Sequence, residues 1–357
     1  MSPAERRKRS YLSGMHSRNG SLDTLRAAAI GLVLACHFVN KFAEGSLLAA
    51  YTGVGGRGVD LFFVLSGWLL GGQLFRERLR TGRIDVRRFW FRRWLRTLPA
   101  YFVVLFAAYA QQAAKGRADE TIFLYLIFVQ NYLDYAPFFG VSWSLCVEEY
   151  FYLAVAPLAV LAGRSRTGLA VVAVVLALVL AFNAAVPYFA APGSILTSSS
   201  TTHMRFPQCL MGVLLAWLCV CRPRAWAVAC RFALPLALVG LGFFVLGVLN
   251  AAAWSYILPD WGILGWGLIF TSWVLLANAG PFWENLHAWP TRYLAHRAYA
   301  LYLTHGEAIA LVRRVPGLSP AAQIVLAAVV ALAVAELLYQ FVERPGMNLR
   351  NRFRATA

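Results

Sequence analysis

The sequence predicts an all-α protein that crosses a membrane many times. Hydrophobic residues make up 60% of the 357 residues, charged residues make up 14%, and the mean hydropathy is +0.59. A soluble domain of this length needs a larger polar surface than this composition provides. Apolar windows of about 20 residues, each long enough to cross ~30 Å of hydrocarbon, recur along the whole chain. The composition therefore excludes a soluble enzyme and indicates a polytopic membrane protein.

The apolar runs predict either ten or eleven crossings. Ten of the runs are long enough for a full span, and they cover residues 22–42, 57–75, 94–114, 142–162, 168–187, 204–221, 232–250, 259–279, 293–312 and 321–342. The other run, residues 121–133, contains only 13 residues, which is short for a helix that crosses a bilayer.

Positive charge decides between the two topologies. If residues 121–133 do not cross, both termini are cytoplasmic, and the 33 Lys and Arg divide into 24 at the cytoplasmic face, 7 at the outer face and 2 within helices. If the segment crosses, 17 lie inside and 14 outside. Because positively charged loops are retained in the cytoplasm, the sequence favours about ten transmembrane helices. Residues 121–133 are then re-entrant, interfacial or packed against the bundle.

The rest of the composition limits the partners. The formal net charge of +17 comes from basic loops between spans, so membrane lipids and not nucleic acid are the expected contacts. The membrane domain is predicted to cover residues 22–345, between basic cytoplasmic tails at 1–21 and 346–357. No small-residue cleavage pattern follows the first span, so a cleavable signal peptide is not expected. The six cysteines lack metal-ligand spacing, and no metal site is expected.

The first span, LDTLRAAAIGLVLACH, contains two ionisable residues that a simple anchor would not need. Arg26 and His37 are 11 positions apart. That spacing is three helical turns plus about 20°, so both side chains project from one face, roughly 16 Å apart. An ionisable side chain in hydrocarbon needs a polar partner or a function. Arg26 either extends to the interface or binds a ligand, and His37 either bonds a neighbouring carbonyl or takes part in chemistry.

The second span, GVDLFFVLSGWLLGG, has polar residues on its outer half. Asp60 lies at the outer end, where it either caps the helix or serves the site. Ser66 and Gly67 lie about 10 Å below that face. Gly67 would permit close helix packing, and Ser66 is a candidate polar group of the same site.

The fourth span, VSWSLCVEEYFYL, contains two adjacent carboxylates. Trp143 is predicted to lie in the outer aromatic belt, with Glu148 about 7–8 Å deeper and Glu149 about 100° around the helix. Two carboxylates within a span are rare, so at least one should face a polar cavity or a cation. The alternative is that Glu148 is a structural partner of an arginine.

Two further segments supply polar groups. The ninth span, through AHRAYALYLTHGEA, places Tyr302 and His305 near the midplane. The third span is entered through RRFWFRRWLRTLP, in which Arg93 and Arg96 are i, i+3 neighbours on one face at the cytoplasmic end. They are either ordinary cytoplasmic charges or two guanidinium forks suited to phosphate groups.

Six of these stretches, taken together, resemble the acyltransferase-3 family of bacterial integral membrane acyltransferases. The resemblance runs from Leu22 to Pro345. LDTLRAAAIGLVLACH matches the opening arginine and histidine separated by ten residues, and GVDLFFVLSGWLL is similar to the second-helix motif. RRWLRTLP, WSLCVEEYFYL, YALYLTH and FVERP match later motifs in the order of the family. Tyr150 is a departure, since a glutamine commonly follows the glutamate pair.

The resemblance implies a function as well as a ten-helix fold. Family members transfer an acyl group, usually acetyl from acetyl-CoA or another acyl-CoA, to a hydroxyl of a cell-envelope or exported glycan, such as an exopolysaccharide or lipopolysaccharide. It also implies location in the bacterial inner (plasma) membrane, with the donor reached from the cytoplasm and the acceptor from the outer side.

The resemblance and the positions of the polar residues together assign roles. His37 is expected to be the general base, or alternatively an acyl-carrying nucleophile, and Glu148 is expected to orient it or stabilise its charge. Three arginines are expected to bind the acyl-CoA, and five residues are expected to support the site. The three arginines are Arg26, Arg93 and Arg96. The five supporting residues are Asp60, Ser66, Trp143, Tyr302 and His305.

Two alternative functions remain open at this stage. The acceptor could instead be a secreted small molecule, such as a macrolide, or a lipid-linked sugar. In a different class, a proton-coupled transporter or flippase would use His37 and Glu148 as a proton relay. Transporters often show inverted repeats and broken helices, and neither pattern is clear in the sequence.

Overall fold

The computed structural model of the chain describes residues 20–117, 120–133, 138–163, 167–191, 194–253, 262–280 and 289–353. The predicted features of the N-terminal tail lie almost entirely outside these ranges. Within them, all regular secondary structure is helical. The α-helices are α1 Gly20–Phe42, α2 Leu47–Thr52, α3 Gly58–Thr81, α4 Val86–Ala113, α5 Ile122–Leu126, α6 Trp143–Ala162, α7 Thr167–Phe189, α8 Thr202–Cys221, α9 Pro223–Arg231, α10 Ala233–Ala253, α11 Gly262–Ala279, α12 Trp289–Val312, α13 Pro320–Leu338 and α14 Arg344–Asn351.

Each of the ten predicted spans coincides with a helix of at least 18 residues in the described part of the chain. Six helical segments are both long enough and apolar enough to cross a membrane, and a seventh is added if α9 and α10, which meet at 56°, form one span. The six segments are Gly20–Phe42, Leu47–Thr81, Gly140–Ala162, Thr167–Phe189, Ile195–Cys221 and Pro320–Asn351. The all-helical fold is thus confirmed, whereas ten crossings and cytoplasmic termini stay predictions.

Residues 121–133 do not form a crossing helix. α5 has five residues and is followed by a short 3₁₀ turn, and five helical residues rise only about 7.5 Å. The Tyr101 hydroxyl on α4 donates a hydrogen bond to the carbonyl of Tyr125 (2.8 Å), and the Gln130 amide donates to that hydroxyl (3.3 Å). The segment is therefore packed against the bundle, which is one of the three predicted arrangements.

Two helices present apolar side chains outward along their length. On α7 these include Leu169, Val174, Leu178 and Phe182, and on α10 they include Leu234, Leu238, Leu241, Val245 and Leu249. Exposed apolar faces of this extent are a liability in water but suit a lipid environment. Together with the apolar spans, they define a multi-pass membrane protein.

α3 and α8 cross at two facing glycines. A Cβ atom on Gly67 would lie 2.0 Å from the carbonyl oxygen of Cys209, and one on Gly212 would lie 2.2 Å from the carbonyl oxygen of Val64. Only a hydrogen atom fits in contacts this short, so both positions require glycine. The packing role predicted for Gly67 is confirmed, and it fixes the position of its neighbour Ser66.

The position of α12 is fixed by an ion pair with α13. The Arg297 guanidinium donates through Nη2 to Oε1 of Glu336 (2.8 Å) and through Nε to Oε2, and the Tyr293 hydroxyl donates to the same carboxylate (2.8 Å). An arginine within an apolar bundle needs such a partner. The pair holds the helix that carries Tyr302 and His305.

We expect Gly67→Ala to destabilise the folded protein, because its methyl group would overlap the backbone of α8. Overpacking of this kind costs about 1–3 kcal/mol, so the midpoint of thermal unfolding in detergent should fall by several degrees. The matched control is Gly31→Ala on α1, where an added Cβ would meet no atom within 4 Å. Equal midpoints for the two variants would contradict the packing role.

Candidate functional site

A cavity of about 430 Å³ lies between α1, α3, α4, α6, α12 and α14. Its volume is that of a small-molecule site. Its lining is strongly cationic, with six arginines, one histidine and one carboxylate: Arg26, Arg76, Arg92, Arg93, Arg96, Arg350, His296 and Glu148. Charge of this kind in a partly enclosed space favours an anionic ligand.

The lining changes character along the cavity. The α3 residues of the lining run from Arg76 past Ser66 to Val59, and the ten helical residues from Arg76 to Ser66 span about 15 Å. Glu148 lies beside Ser66, and Ser144 and Tyr302 line the same region. The cavity is therefore an elongated site with a basic end and an end of hydroxyl and carboxylate groups.

Glu148 accepts two hydrogen bonds inside this cavity. The Ser66 hydroxyl donates to Oε1 (3.1 Å), and the Tyr152 hydroxyl donates to Oε2 (2.6 Å). Glu149 points elsewhere, because it is buried and accepts a hydrogen bond from the Thr97 hydroxyl (3.0 Å). Of the two adjacent carboxylates, Glu148 is the one that faces the polar cavity.

Arg93 and Arg96 both line the cavity. In the described ranges, neither guanidinium group has a carboxylate oxygen within 4.0 Å. The Nε atom of Arg93 is buried and has no hydrogen-bond partner there, and its guanidinium lies 4.9 Å from the centre of the Tyr152 ring. Two neighbouring cations that make no ion pair within 4.0 Å would both gain from a bound anion.

Arg26 also lines the cavity, but it has a partner within its own helix. Its Nη1 donates to Oδ1 of Asp23, which is fully buried, at 2.9 Å. The pair is spaced i, i+3, a spacing that brings side chains together on a helix. Arg26 is thus anchored at the cavity wall, and Asp23 is a contact that the sequence analysis missed despite this spacing.

His37 and His305 form a direct hydrogen bond between α1 and α12. The Nδ1 atom of His37 lies 2.7 Å from Nε2 of His305, which is buried. His37 is half-buried and is not among the residues that line the cavity, but Tyr302, one turn before His305, is. The Ser144 hydroxyl donates to the Tyr302 hydroxyl (2.7 Å). The histidine pair therefore lies beside the Ser66–Glu148 end of the cavity.

Asp60 and Trp143 belong to a second cluster, outside the cavity lining. The guanidinium of Arg205 on α8 donates to Oδ1 of Asp60 (2.5 Å) and lies 5.5 Å from the centre of the Trp143 ring. Asp60 and Arg205 are both buried, so this ion pair ties α3 to α8. It supports the fold that holds the site, and these two predicted residues do not meet the cavity itself.

The structure thus brings most of the predicted residues together, but the partners of Glu148 and His37 differ from those predicted. Glu148 was expected to orient His37, yet its hydrogen bonds go to Ser66 and Tyr152, and His305 makes the direct contact with His37. Sequence analysis missed several cavity residues, namely Arg76, Arg92, Ser144, Tyr152, His296, Tyr299 and Arg350. Arg76 and Arg92 belong to an arginine block, the nine arginines between residues 76 and 96, whereas no sequence signal pointed to Arg350.

The fold and the cavity define a multi-pass helical membrane protein with an elongated cationic site that ends beside a histidine pair. A family model described as an acyltransferase domain matches residues 19–340. The chain therefore belongs to the acyltransferase-3 family. The part of the chain that the structure describes contains no group of three or more His, Cys, Asp and Glu that could hold a metal ion.

Two curated relatives are named as O-acetyltransferases. YrhL of Bacillus subtilis, named as a candidate peptidoglycan O-acetyltransferase, is 30% identical, covering 91% of this chain and 54% of the relative. The O-acetyltransferase OatA of Staphylococcus aureus is 26% identical, covering 91% of this chain and 56% of the relative. The chain thus spans about half the length of these curated relatives. No solved structure shows significant similarity to it.

We expect Glu148→Gln to lower acyl transfer strongly and Glu149→Gln to leave it nearly unchanged. Only Glu148 faces the cavity, and loss of its charge should cost about 10²-fold or more if it assists the reaction. A glutamine at position 149 can still accept the hydrogen bond from Thr97. Rates measured on membranes at matched expression test this, and equal rates for the two variants would contradict the assignment.

Proposed function

We propose that this protein is an O-acyltransferase of the bacterial inner membrane that transfers an acetyl group from acetyl-CoA to a hydroxyl of a cell-wall glycan. The name of the Bacillus subtilis relative supports a glycan of the peptidoglycan type. The observation that carries the proposal is the elongated cavity itself. It is lined by Arg93 and Arg96, which make no ion pair within 4.0 Å in the described ranges, and it ends next to a carboxylate and a histidine pair.

The shape of the cavity suits an acyl-CoA donor. The phosphate groups would bind Arg93 and Arg96, whose guanidinium forks match phosphate geometry. Other arginines at the same mouth, Arg76, Arg92 and Arg350, would add to the positive field. The pantetheine arm would extend along α3, over the ~15 Å that separates Arg76 from Ser66. The thioester carbonyl would then lie near Glu148 and Tyr302.

The reaction then needs one base. Nε2 of His37 takes the proton of the acceptor hydroxyl while the hydroxyl oxygen attacks the thioester carbonyl carbon. The carbon–sulfur bond breaks, and the leaving thiolate takes the proton back from His37. The products are an O-acyl ester and free CoA. The acyl group has moved from sulfur to oxygen, and the hydroxyl proton has moved to the thiol of CoA.

The acceptor is proposed to approach His37 from the side away from the donor arginines. His37 is half-buried and stands outside the donor cavity, which leaves one side of the ring for a second substrate. A sugar hydroxyl, on the glycan or on its lipid-linked precursor, is the class of group that fits the names of the relatives.

The direct test is product formation by purified protein in nanodiscs, given acetyl-CoA labelled in the acetyl group and a soluble peptidoglycan fragment. We expect labelled ester with the wild type, a loss of about 10²-fold or more with His37→Ala, and near-normal rates with Cys36→Ala. Cys36 is the matched control because it is the adjacent residue and packs against the carbonyl of Gly53. Inactive Cys36→Ala alongside active His37→Ala would refute the mechanism. A transporter would leave the thioester intact.

Arg93→Lys and Arg96→Lys should each raise the KM for acetyl-CoA several-fold while changing the KM for the acceptor little. Lysine keeps the charge but loses the bidentate fork. Arg83→Lys is the control, because Arg83 is exposed in the same arginine block and does not line the cavity. Steady-state kinetics with each substrate varied in turn gives the answer. An effect on the acceptor alone would place the donor elsewhere.

A further inference from the structure

The histidine pair has a geometry that fixes where its protons lie. The two rings are within 6° of parallel, their centroids are 4.8 Å apart, and Nδ1 of His37 lies 2.7 Å from Nε2 of His305. Parallel rings whose nitrogen atoms are this close cannot overlap face to face. The rings therefore meet edge to edge, as a hydrogen bond between them requires.

The backbone of α12 determines the tautomer of His305. Its Nδ1 atom lies 2.8 Å from the carbonyl oxygen of Tyr302 and 3.2 Å from that of Leu301. A carbonyl oxygen can only accept, so Nδ1 of His305 must carry a proton. In the neutral ring, Nε2 of His305 is then a lone-pair acceptor.

This assignment passes along the hydrogen bond to the second ring. Because Nε2 of His305 accepts, Nδ1 of His37 must be the donor. Neutral His37 then has its lone pair on Nε2, the nitrogen that the contact with His305 leaves open. No carboxylate lies within 4.0 Å of either ring in the described ranges. The group that accepts the hydrogen bond from His37 is therefore a second imidazole and not a carboxylate.

We propose that His305 is a positioning residue that holds His37 in the Nδ1-protonated tautomer and aims its Nε2 atom at the acceptor hydroxyl. The inference rests on the proposed function for the role of His37 as base. His305 itself touches neither substrate. When His37 takes up a proton on Nε2, its Nδ1–H donates to His305 as a charge-assisted hydrogen bond, which favours the protonated state. The Tyr302 carbonyl completes a chain of three groups.

The kinetic test uses two substitutions at position 305 that differ in one property. Glutamine can present an oxygen near the place of Nε2 and accept from His37, whereas leucine cannot. We expect His305→Leu to lower kcat by about 100-fold or more with an unchanged KM for acetyl-CoA, because the donor arginines are not touched. His305→Gln should recover at least tenfold of that loss. Thr304→Val, at a neighbouring buried position on α12, should keep its activity.

The second test does not depend on turnover. Nitrogen-15 NMR of histidine-labelled protein in nanodiscs, with signals of the six histidines assigned by single substitutions, reports which ring nitrogen carries the proton. We expect Nδ1–H for both His37 and His305 in the wild type, and a mixture of tautomers for His37 in folded His305→Leu. Nε2–H for either ring in the wild type would overturn the inference, as would equal inactivity of folded His305→Gln and His305→Leu. A wild type inactive towards acetyl-CoA but with both Nδ1–H signals would refute only the proposed function.

Discussion

The free-energy cost of placing a charge in an apolar helix bundle determines how the buried arginines of this protein are arranged. Arg205 and Arg297 are each matched to a carboxylate on another helix, and Arg26 is matched to one on its own. These pairs offset the cost of burial, and the two that join helices hold α3 to α8 and α12 to α13. Arg93 and Arg96 make no ion pair within 4.0 Å in the described structure, and both line the cavity. The arginines that join two helices are thus paired, whereas these two can still bind an anion.

α12 carries both a residue that holds the fold together and residues of the candidate site. Near its start, Arg297 binds α13, and further along Tyr302 lines the cavity while His305 meets His37. The ion pair sets the rotation and height of the helix, so that the two later side chains arrive at the correct depth. A helix anchored at one end in this way can hold a histidine on the opposite helix to within a hydrogen-bond length, which a loop would do less precisely.

Much of this arrangement could be predicted from the sequence, and the reason differs from residue to residue. The helices were predictable because apolar runs of span length are required by the bilayer. Glu148 was predictable because it is a carboxylate within an apolar span, and Arg93 and Arg96 because their i, i+3 spacing puts them on one face at the end of a span. The contact between His37 and His305 could not be derived, since 268 residues separate them and helix spacing says nothing about which helices are neighbours. Arg350 was missed for the same reason, because it looks like an ordinary tail residue until α14 folds back.

The glycine contact between α3 and α8 has a mechanical consequence for the cavity on the other side of α3. Gly67 is covalently joined to Ser66, and Ser66 reaches Glu148 across the cavity at 3.1 Å. The distance between the α3 and α8 backbones is set by hydrogen atoms, which cannot be compressed or re-oriented as a side chain can. The α3–α8 pair therefore forms a rigid wall, and the width of the cleft between Ser66 and Glu148 depends on helix packing that lies outside the cleft.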